Sequence, residues 1–335
     1  MDTVRVLAGD IGGTKTLLEL SEVQGDQTQV IARHRYDSAA YDSFSNVVEA
    51  FVSRYDNLHH PSFQKACFGV AGPVEVEVRA TVSNITNLSW HIDSAQLEQR
   101  FHLQNVRLVN DFSAIGYGIE HLGPSELTQL QQGQQREGGT RLVIGAGTGL
   151  GVALLIWCTD HYEVLGTEGG HVDFAPRDAT QIALLDYLIK QRGRAACEDV
   201  LSGPGLVTIY RFLHHYRGGD PGQLASTLRQ GDAAAAVAMA ADGSEDSLAR
   251  QAMSIFVSIY GATAGNFALS SMALGGVYVA GGIAPKILHH LEGGPFLEAF
   301  NDKGKMGHLN RQVPVAIVLN PDVGLIGCRH LAKNL

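Results

Sequence analysis

Apolar residues fall in two rhythms along this chain, and the switches between them lay out its elements. Val4-Arg5-Val6-Leu7-Ala8, Leu17-Leu18-Glu19-Leu20 and Gln29-Val30-Ile31-Ala32-Arg33 are short runs separated by turn residues, which predicts three strands within residues 4–35. From Ser43 to Arg54 the period lengthens: Phe44, Val47, Val48 and Phe51 share one helical face behind Ser43 as N-cap. Ala66-Cys67-Phe68-Gly69-Val70 reads as a buried strand closed by Ala71-Gly72-Pro73. A short β segment and a loop from Asn84 to Trp90 follow, and Asp93 opens a helix through Phe101. Val106-Arg107-Leu108-Val109 returns to strand and ends on Asn110-Asp111, ahead of a helix with Phe112, Ile115 and Ile119 on one face.

The second half repeats the plan. Strands are expected at 141–145, 151–157 and 161–165, then helices, among them Ala-rich 232–241 and a long one from about Glu245 to Leu269. Gly261 and Gly265 sit one turn apart in the latter, which permits close helix packing. Val277-Tyr278-Val279-Ala280 and Val315-Ala316-Ile317-Val318-Leu319 read as strands, and a final helix covers about Val323 to Ala332. Gln/Gly-rich 129–139 reads as a plain connector, the best candidate for a mobile surface loop.

Two of the turns are chemically distinctive. Asp10-Ile11-Gly12-Gly13-Thr14-Lys15-Thr16 and Gly145-Ala146-Gly147-Thr148-Gly149-Leu150-Gly151 each join two apolar strands. Without Cβ atoms in the way, backbone N–H groups can converge on an anion there. The first lacks the second Gly of a Walker A loop, having Thr14 in its place, and the second leads into a strand rather than the helix a dinucleotide fingerprint needs. Either alone also reads as an ordinary hairpin turn. As a pair, they point to a duplicated half-fold clamping one polyphosphate.

Composition narrows the classes. At 335 residues there is room for about two domains. A formal charge of −9 argues against a nucleic-acid or membrane-surface partner, so an anionic ligand must be held locally by amides and a cation. Cys67, Cys158, Cys197 and Cys328 are widely spaced, which fits a reducing compartment and offers neither a zinc ribbon nor a disulfide framework. No signal peptide is visible and no apolar run reads as long enough to span a bilayer, so the expectation is a soluble cytoplasmic protein.

Polar residues cluster at three further places. Asp111 stands at a strand end, where α/β sheets present reacting groups, although capping is the simpler reading of that Asp alone. Thr167-Glu168-Gly169-Gly170-His171 sets a carboxylate and an imidazole three apart in a Gly-flanked loop. Glu198 precedes Leu201-Ser202-Gly203-Pro204-Gly205. Together they form a set suited to a polyol, whose hydroxyls both donate and accept.

Residues 4–16, 110–118, 145–151, 166–175, 201–205 and 280–283 resemble the bacterial glucokinase family of the hexokinase and actin-like ATPase superfamily, in the family's order. The resemblance implies an α/β, two-domain actin-like ATPase fold (a duplicated ribonuclease H-like fold) with an interdomain cleft. Its small domain would be 1–110 plus 321–335 and its large one 111–320. It implies ATP-dependent phosphorylation of D-glucose, with Asp111 as general base on the sugar 6-hydroxyl. Asn87, Asn110, Asp111, Glu168, His171 and Glu198 match sugar ligands. Asp10, Gly12, Gly13, Thr14 and Lys15 match the first phosphate loop, Gly147, Thr148 and Gly149 the second, and Gly281 and Gly282 the adenosine loop. Mg²⁺ would enter with ATP near Asp10, with no resident metal, and the assembly would be a homodimer. The Cys-x-Cys-Gly zinc cluster and N-terminal helix-turn-helix of ROK kinases and repressors have no counterpart here. The rival readings are a kinase for mannose, fructose or N-acetylglucosamine, and a non-sugar actin-like ATPase.

Overall fold

The computed structural model describes residues 3–25, 27–55, 63–77, 80–85, 88–217, 228, 232–243 and 247–335. The chain divides into two compact units, Met1–Leu122 with Asp322–Leu335, and Gly123–Pro321.

The first unit is built on a five-stranded sheet in the order β3-β2-β1-β4-β8: β1 (Val4–Ile11), β2 (Lys15–Gln24), β3 (Gln27–Asp37), β4 (Lys65–Val70) and β8 (Asn105–Asn110). The first three form an antiparallel meander, while β1, β4 and β8 run parallel. Alternation along β1 splits its side chains between two cores. Leu7 and Ile11 pack with Phe44, Val47 and Phe51 of helix α1 (Phe44–Arg54). Val6 and Ala8 instead pack with Leu325, Cys328 and Leu331. Those three belong to the helix that returns from the far end of the chain. A small sheet of β5 (Val74–Val76), β6 (Thr81–Asn84) and β7 (His91–Asp93) leads to α2 (Ser94–Phe101), where Asp93 accepts from Ala95 and Gln96 N–H as the expected cap.

Helix α3 (Asp111–Ile119) stays with this unit instead of opening the second. Its buried residues are Ser113, Ala114, Gly116, Gly118 and Ile119, whereas Phe112 and Ile115 are half-buried, so of the expected apolar face only Ile119 is packed and small residues supply the rest. The reason is a close crossing with the returning helix. A Cβ on Gly118 would lie 2.0 Å from Val323 O, and one on Gly327 would lie 1.9 Å from Ala114 O.

The second unit repeats the same strand plan in the order β12-β11-β10-β13-β14-β9. Here β10 (Arg141–Ala146), β11 (Leu150–Cys158) and β12 (His161–Thr167) form the antiparallel meander, and β13 (Gly276–Ala280) and β14 (Val315–Val318) continue parallel to β10. The edge strand β9 (Leu127–Gln131) corrects the connector expected at 129–139. Gln129 Nε2 donates to Val315 O at 3.0 Å, and Gln131 Nε2 to Asn310 O and Val313 O at 2.8 and 2.7 Å, so polar side chains hold an edge that apolar patterning does not mark.

Helices α4 (Ala179–Arg192), α5 (Gly203–Arg217), α6 (Ala233–Asp242) and α7 (Ser247–Ser271) supply much of the core. Gly261 and Gly265 of α7 do admit a close neighbour: a Cβ on either would lie 1.9 or 2.5 Å from the carbonyl oxygens of Phe296 and Phe300 on α8 (Pro295–Asn301). Helix α7 is, by length and composition, apolar enough to cross a membrane, contrary to the expectation that no such run exists. With 72% of its most apolar window buried inside the protein, it is the core helix of this unit.

Candidate active site

In the first unit, the residues singled out in sequence gather at the C-terminal ends of the parallel strands. β1 pairs Asp10 with Gly69, and β4 pairs Val70 with Asn110, so Asp10 and Asp111 flank β4. The Gly12–Lys15 turn is tied from three sides: Gly12 N–H donates to Lys15 O (2.9 Å), Ser38 N–H to Thr14 O (3.1 Å), and Ser38 Oγ to Gly12 O (2.9 Å). Ser38 Oγ also meets the fully buried Thr16 hydroxyl at 3.0 Å. Gly12 and Gly13 are half-buried, while Thr14 and Lys15 are exposed at the tip. Ser38 was not foreseen, because a lone Ser after a strand carries no signal of what it grips.

Asn110 is the N-cap of α3: its Oδ1 accepts from Phe112 and Ser113 N–H at 3.0 and 3.3 Å, and its Nδ2 donates to Gly72 O at 3.2 Å. The same amide also hydrogen-bonds the Asp111 carboxylate. Asp111 is therefore not the helix cap, although one of its oxygens accepts from Phe112 N–H at 2.9 Å. Asp10 and Asp111 are both pushed up to about 6, chiefly by desolvation in crowded surroundings. Asp322 adds repulsion at Asp10 and Arg35 opposes it, while Asp10 adds repulsion at Asp111. Water still reaches both groups, Asp10 being exposed and Asp111 half-buried. Asn87 lies outside the described residues.

Behind them, Glu19 is a fully buried carboxylate on β2, held by Arg33 and Arg329 at 2.7 Å each and by Ser21 Oγ at 2.8 Å. Arg33 also pairs with Asp322 at 2.7 Å, which fixes that carboxylate at the start of the returning helix.

In the second unit, Gly147 N–H donates to Gly149 O (2.8 Å), closing the second hairpin. Three contacts brace it: Gly203 N–H donates to Gly147 O at 2.8 Å, Ala146 N–H to the buried Tyr260 hydroxyl at 3.0 Å, and Leu150 N–H to Glu198 Oε2 at 2.9 Å. A Cβ on Gly149 would lie 2.4 Å from that same Oε2. Glu198 is thus partly committed to the hairpin rather than free for a sugar. Ser202 joins the two parts, donating to Glu198 O at 2.8 Å and accepting from Gly205 N–H at 3.0 Å. The Leu-Ser-Gly-Pro-Gly block is a brace for the hairpin, a role its composition did not reveal.

Glu168, Gly169, Gly170 and His171 form a 3₁₀ turn beside the same strand. A Cβ on Gly170 would lie 2.1 Å from Leu150 O, so the turn sits on the residue whose N–H Glu198 holds. Glu168 and His171 are exposed, with His171 Nε2 3.7 Å from Glu168 Oε2, and Arg194 anchors the turn through His171 O at 2.7 Å. Gly281 has φ +83° and a Cβ there would lie 2.8 Å from Ala146 O. This packs the Gly281-Gly282 turn against the hairpin. Over Gly147 and Gly282 nothing comes within 4 Å of a Cβ position. The chain itself does not require glycine at those two places, and the room fits a ligand approaching the backbone.

The repeated meander-plus-parallel-strand plan, with a glycine hairpin in each copy, defines an actin-like ATPase fold of the sugar-kinase kind. The glucokinase family profile matches residues 7–335. The chain is 41% identical to a glucokinase of Nostoc punctiforme, over 98% of this chain and 99% of that one. It is 42% identical to a glucokinase of Synechocystis sp., over 99% and 98%. A crystal structure of glucokinase from an Antarctic psychrotroph aligns with a TM-score of 0.84 and 28% identity, covering 99% of each chain. The chain belongs to the glucokinase family.

Proposed function

We infer that the protein transfers the γ-phosphoryl group of ATP to the 6-hydroxyl of D-glucose, with Asp111 as general base. The observation that carries the role of Asp111 is the division of labour at the start of α3. Asn110 takes the helix cap, which releases Asp111 from that task at a strand end, where its carboxylate accepts from Phe112 N–H and from the Asn110 amide. Its raised pKa brings the base nearer neutrality than an ordinary carboxylate, the direction a proton acceptor needs.

Phosphoryl transfer needs an acceptor held in line and donors around the phosphate oxygens. The two glycine turns, through the backbone amides of Gly13, Thr14, Thr148 and Gly149 and with Lys15 as a cation, serve the phosphates, while Gly12 and Gly147 N–H close the hairpins; Gly281-Gly282 serves the adenosine. Glu168, His171, Asn110 and the oxygen of Glu198 that does not hold Leu150 serve the sugar hydroxyls. An exposed carboxylate repelled by a neighbouring Asp322 suits a hard dication, so Asp10 would hold Mg²⁺. Bound there, Mg²⁺ supplies charge neutralisation on the phosphates. The four free cysteines, three of them buried, suit the reducing cytoplasm, and a homodimer rests on the family resemblance alone.

The test is Asp111→Asn, which keeps the shape and removes the base. Turnover should fall by about 10²–10⁴-fold, with glucose affinity by calorimetry little changed. Wild-type turnover in this variant would refute the assignment.

A further inference from the structure

We propose that Asp242, His289 and His290 form a binding site for one divalent transition-metal ion, of the Zn²⁺ class. Asp242 ends α6, and the two histidines lie on the short helix Leu288–Glu292. Consecutive residues on a helix point about 100° apart and do not normally meet. Here the ring centroids lie 4.1 Å apart with the planes tilted by 38°, and both Nε2 atoms stand 2.8 Å from the same Asp242 Oδ1. The three donor atoms all lie within 4.8 Å of one another. An ion bonded to imidazole nitrogens at about 2.0–2.1 Å needs its donors about 3.3 Å apart. The site is therefore close to the required spacing without the ion.

The donor set decides the metal class. Two imidazoles and one carboxylate suit Zn²⁺ and its neighbours, whereas Mg²⁺ prefers all-oxygen shells. The side chains of His289, Asp242 and His290 are 59%, 50% and 24% exposed, enough for an ion to enter and keep a water as fourth ligand. On binding, each Nε2 gives its lone pair to the ion, and the proton it carried toward Asp242 moves to Nδ1 or to solvent. His161 provides the contrast. It also touches two carboxylates, Asp160 at 2.7 Å and Glu163 at 3.1 Å, but through its opposite ring nitrogens, so those donors diverge. None of the three residues is among those assigned to sugar or ATP. An ion bridging them would tie α6 to the segment that follows the Gly281-Gly282 turn.

The experiment titrates Zn²⁺ into tag-free, chelator-treated, nucleotide-free full-length protein, read by calorimetry and by melting temperature. Wild type should bind one ion per chain and melt higher as Zn²⁺ rises. His289→Ala/His290→Ala should lose that ion and the shift, and Asp242→Asn should bind about tenfold more weakly or worse. His161→Ala should match wild type, and the double variant should phosphorylate glucose normally in zinc-free buffer, showing it is folded. Equal binding by the double variant, or no binding by wild type at millimolar Zn²⁺, would overturn the proposal.

Discussion

Gly149→Ala and Glu198→Ala strike the same hydrogen bond from opposite sides. The new methyl of Gly149→Ala would lie 2.4 Å from Glu198 Oε2, so the carboxylate end must swing away and Leu150 N–H loses its 2.9 Å partner. Glu198→Ala removes that partner with no clash. A hydrogen bond to a charged group is worth about 1.5–3 kcal/mol. At about 1.4 kcal/mol per tenfold, that is about ten- to 150-fold in the population of correctly set hairpins. Both variants should therefore raise the KM for ATP by up to that factor at saturating glucose. Glu198→Gln should do less, because its amide oxygen still accepts from Leu150. Steady-state kinetics with varied ATP gives the first readout, and hydrogen exchange at the Leu150 amide, faster in both variants, gives a second that needs no turnover. Unchanged ATP KM together with unchanged Leu150 exchange in both variants would refute the bracing role.

Asp111, pushed up to about 6, must be ionised to accept a proton, so kcat/KM should fall as pH drops through that value. The fall should be about tenfold per pH unit below it, and a profile flat down to pH ~4.5 would contradict the shifted base. The same shift has the opposite sign for stability. Between 3.8 and about 6 the folded chain keeps a proton the unfolded chain has released, so this group's contribution declines as pH rises through that window. Gly327→Ala places a methyl 1.9 Å from Ala114 O and forces α3 and the returning helix apart. It should cost about 1–3 kcal/mol or more in urea unfolding, and an unmoved midpoint would show that the crossing yields without strain.

Local chemistry was readable wherever one stretch of chain carried the whole signal. The two glycine hairpins and the Ser43 and Asp93 caps act within a turn or two of themselves, and the glycine pair on α7 announced a close neighbour by its spacing without saying that Phe296 and Phe300 provide it. What stayed hidden depends on partners far along the chain. Ser38 grips Thr16 from 22 residues away, and Tyr260 braces Ala146 from 114 away. Periodicity placed Ile119 correctly on α3 but missed the small residues packed beside it, because the returning helix selects them for close approach and no apolar pattern encodes that. It missed β9 because glutamine side chains hold that strand. At Asn110-Asp111 both residues are competent caps, and only the backbone geometry shows that Asn110 takes the task.

The helix Val323–Asn334 has a consequence for how the protein is made. It covers the face of the first sheet that carries Val6, Ala8 and Val109, yet it is synthesised only after the whole of Gly123–Pro321. A nascent chain with β1 through α3 already out must therefore carry that apolar face with only α3 against it until translation is nearly done. The second unit is contiguous and can close its core without waiting. The first unit, although it leads the sequence, finishes last, and a ribosome stalled anywhere within the second unit presents a half-covered sheet to chaperones and proteases.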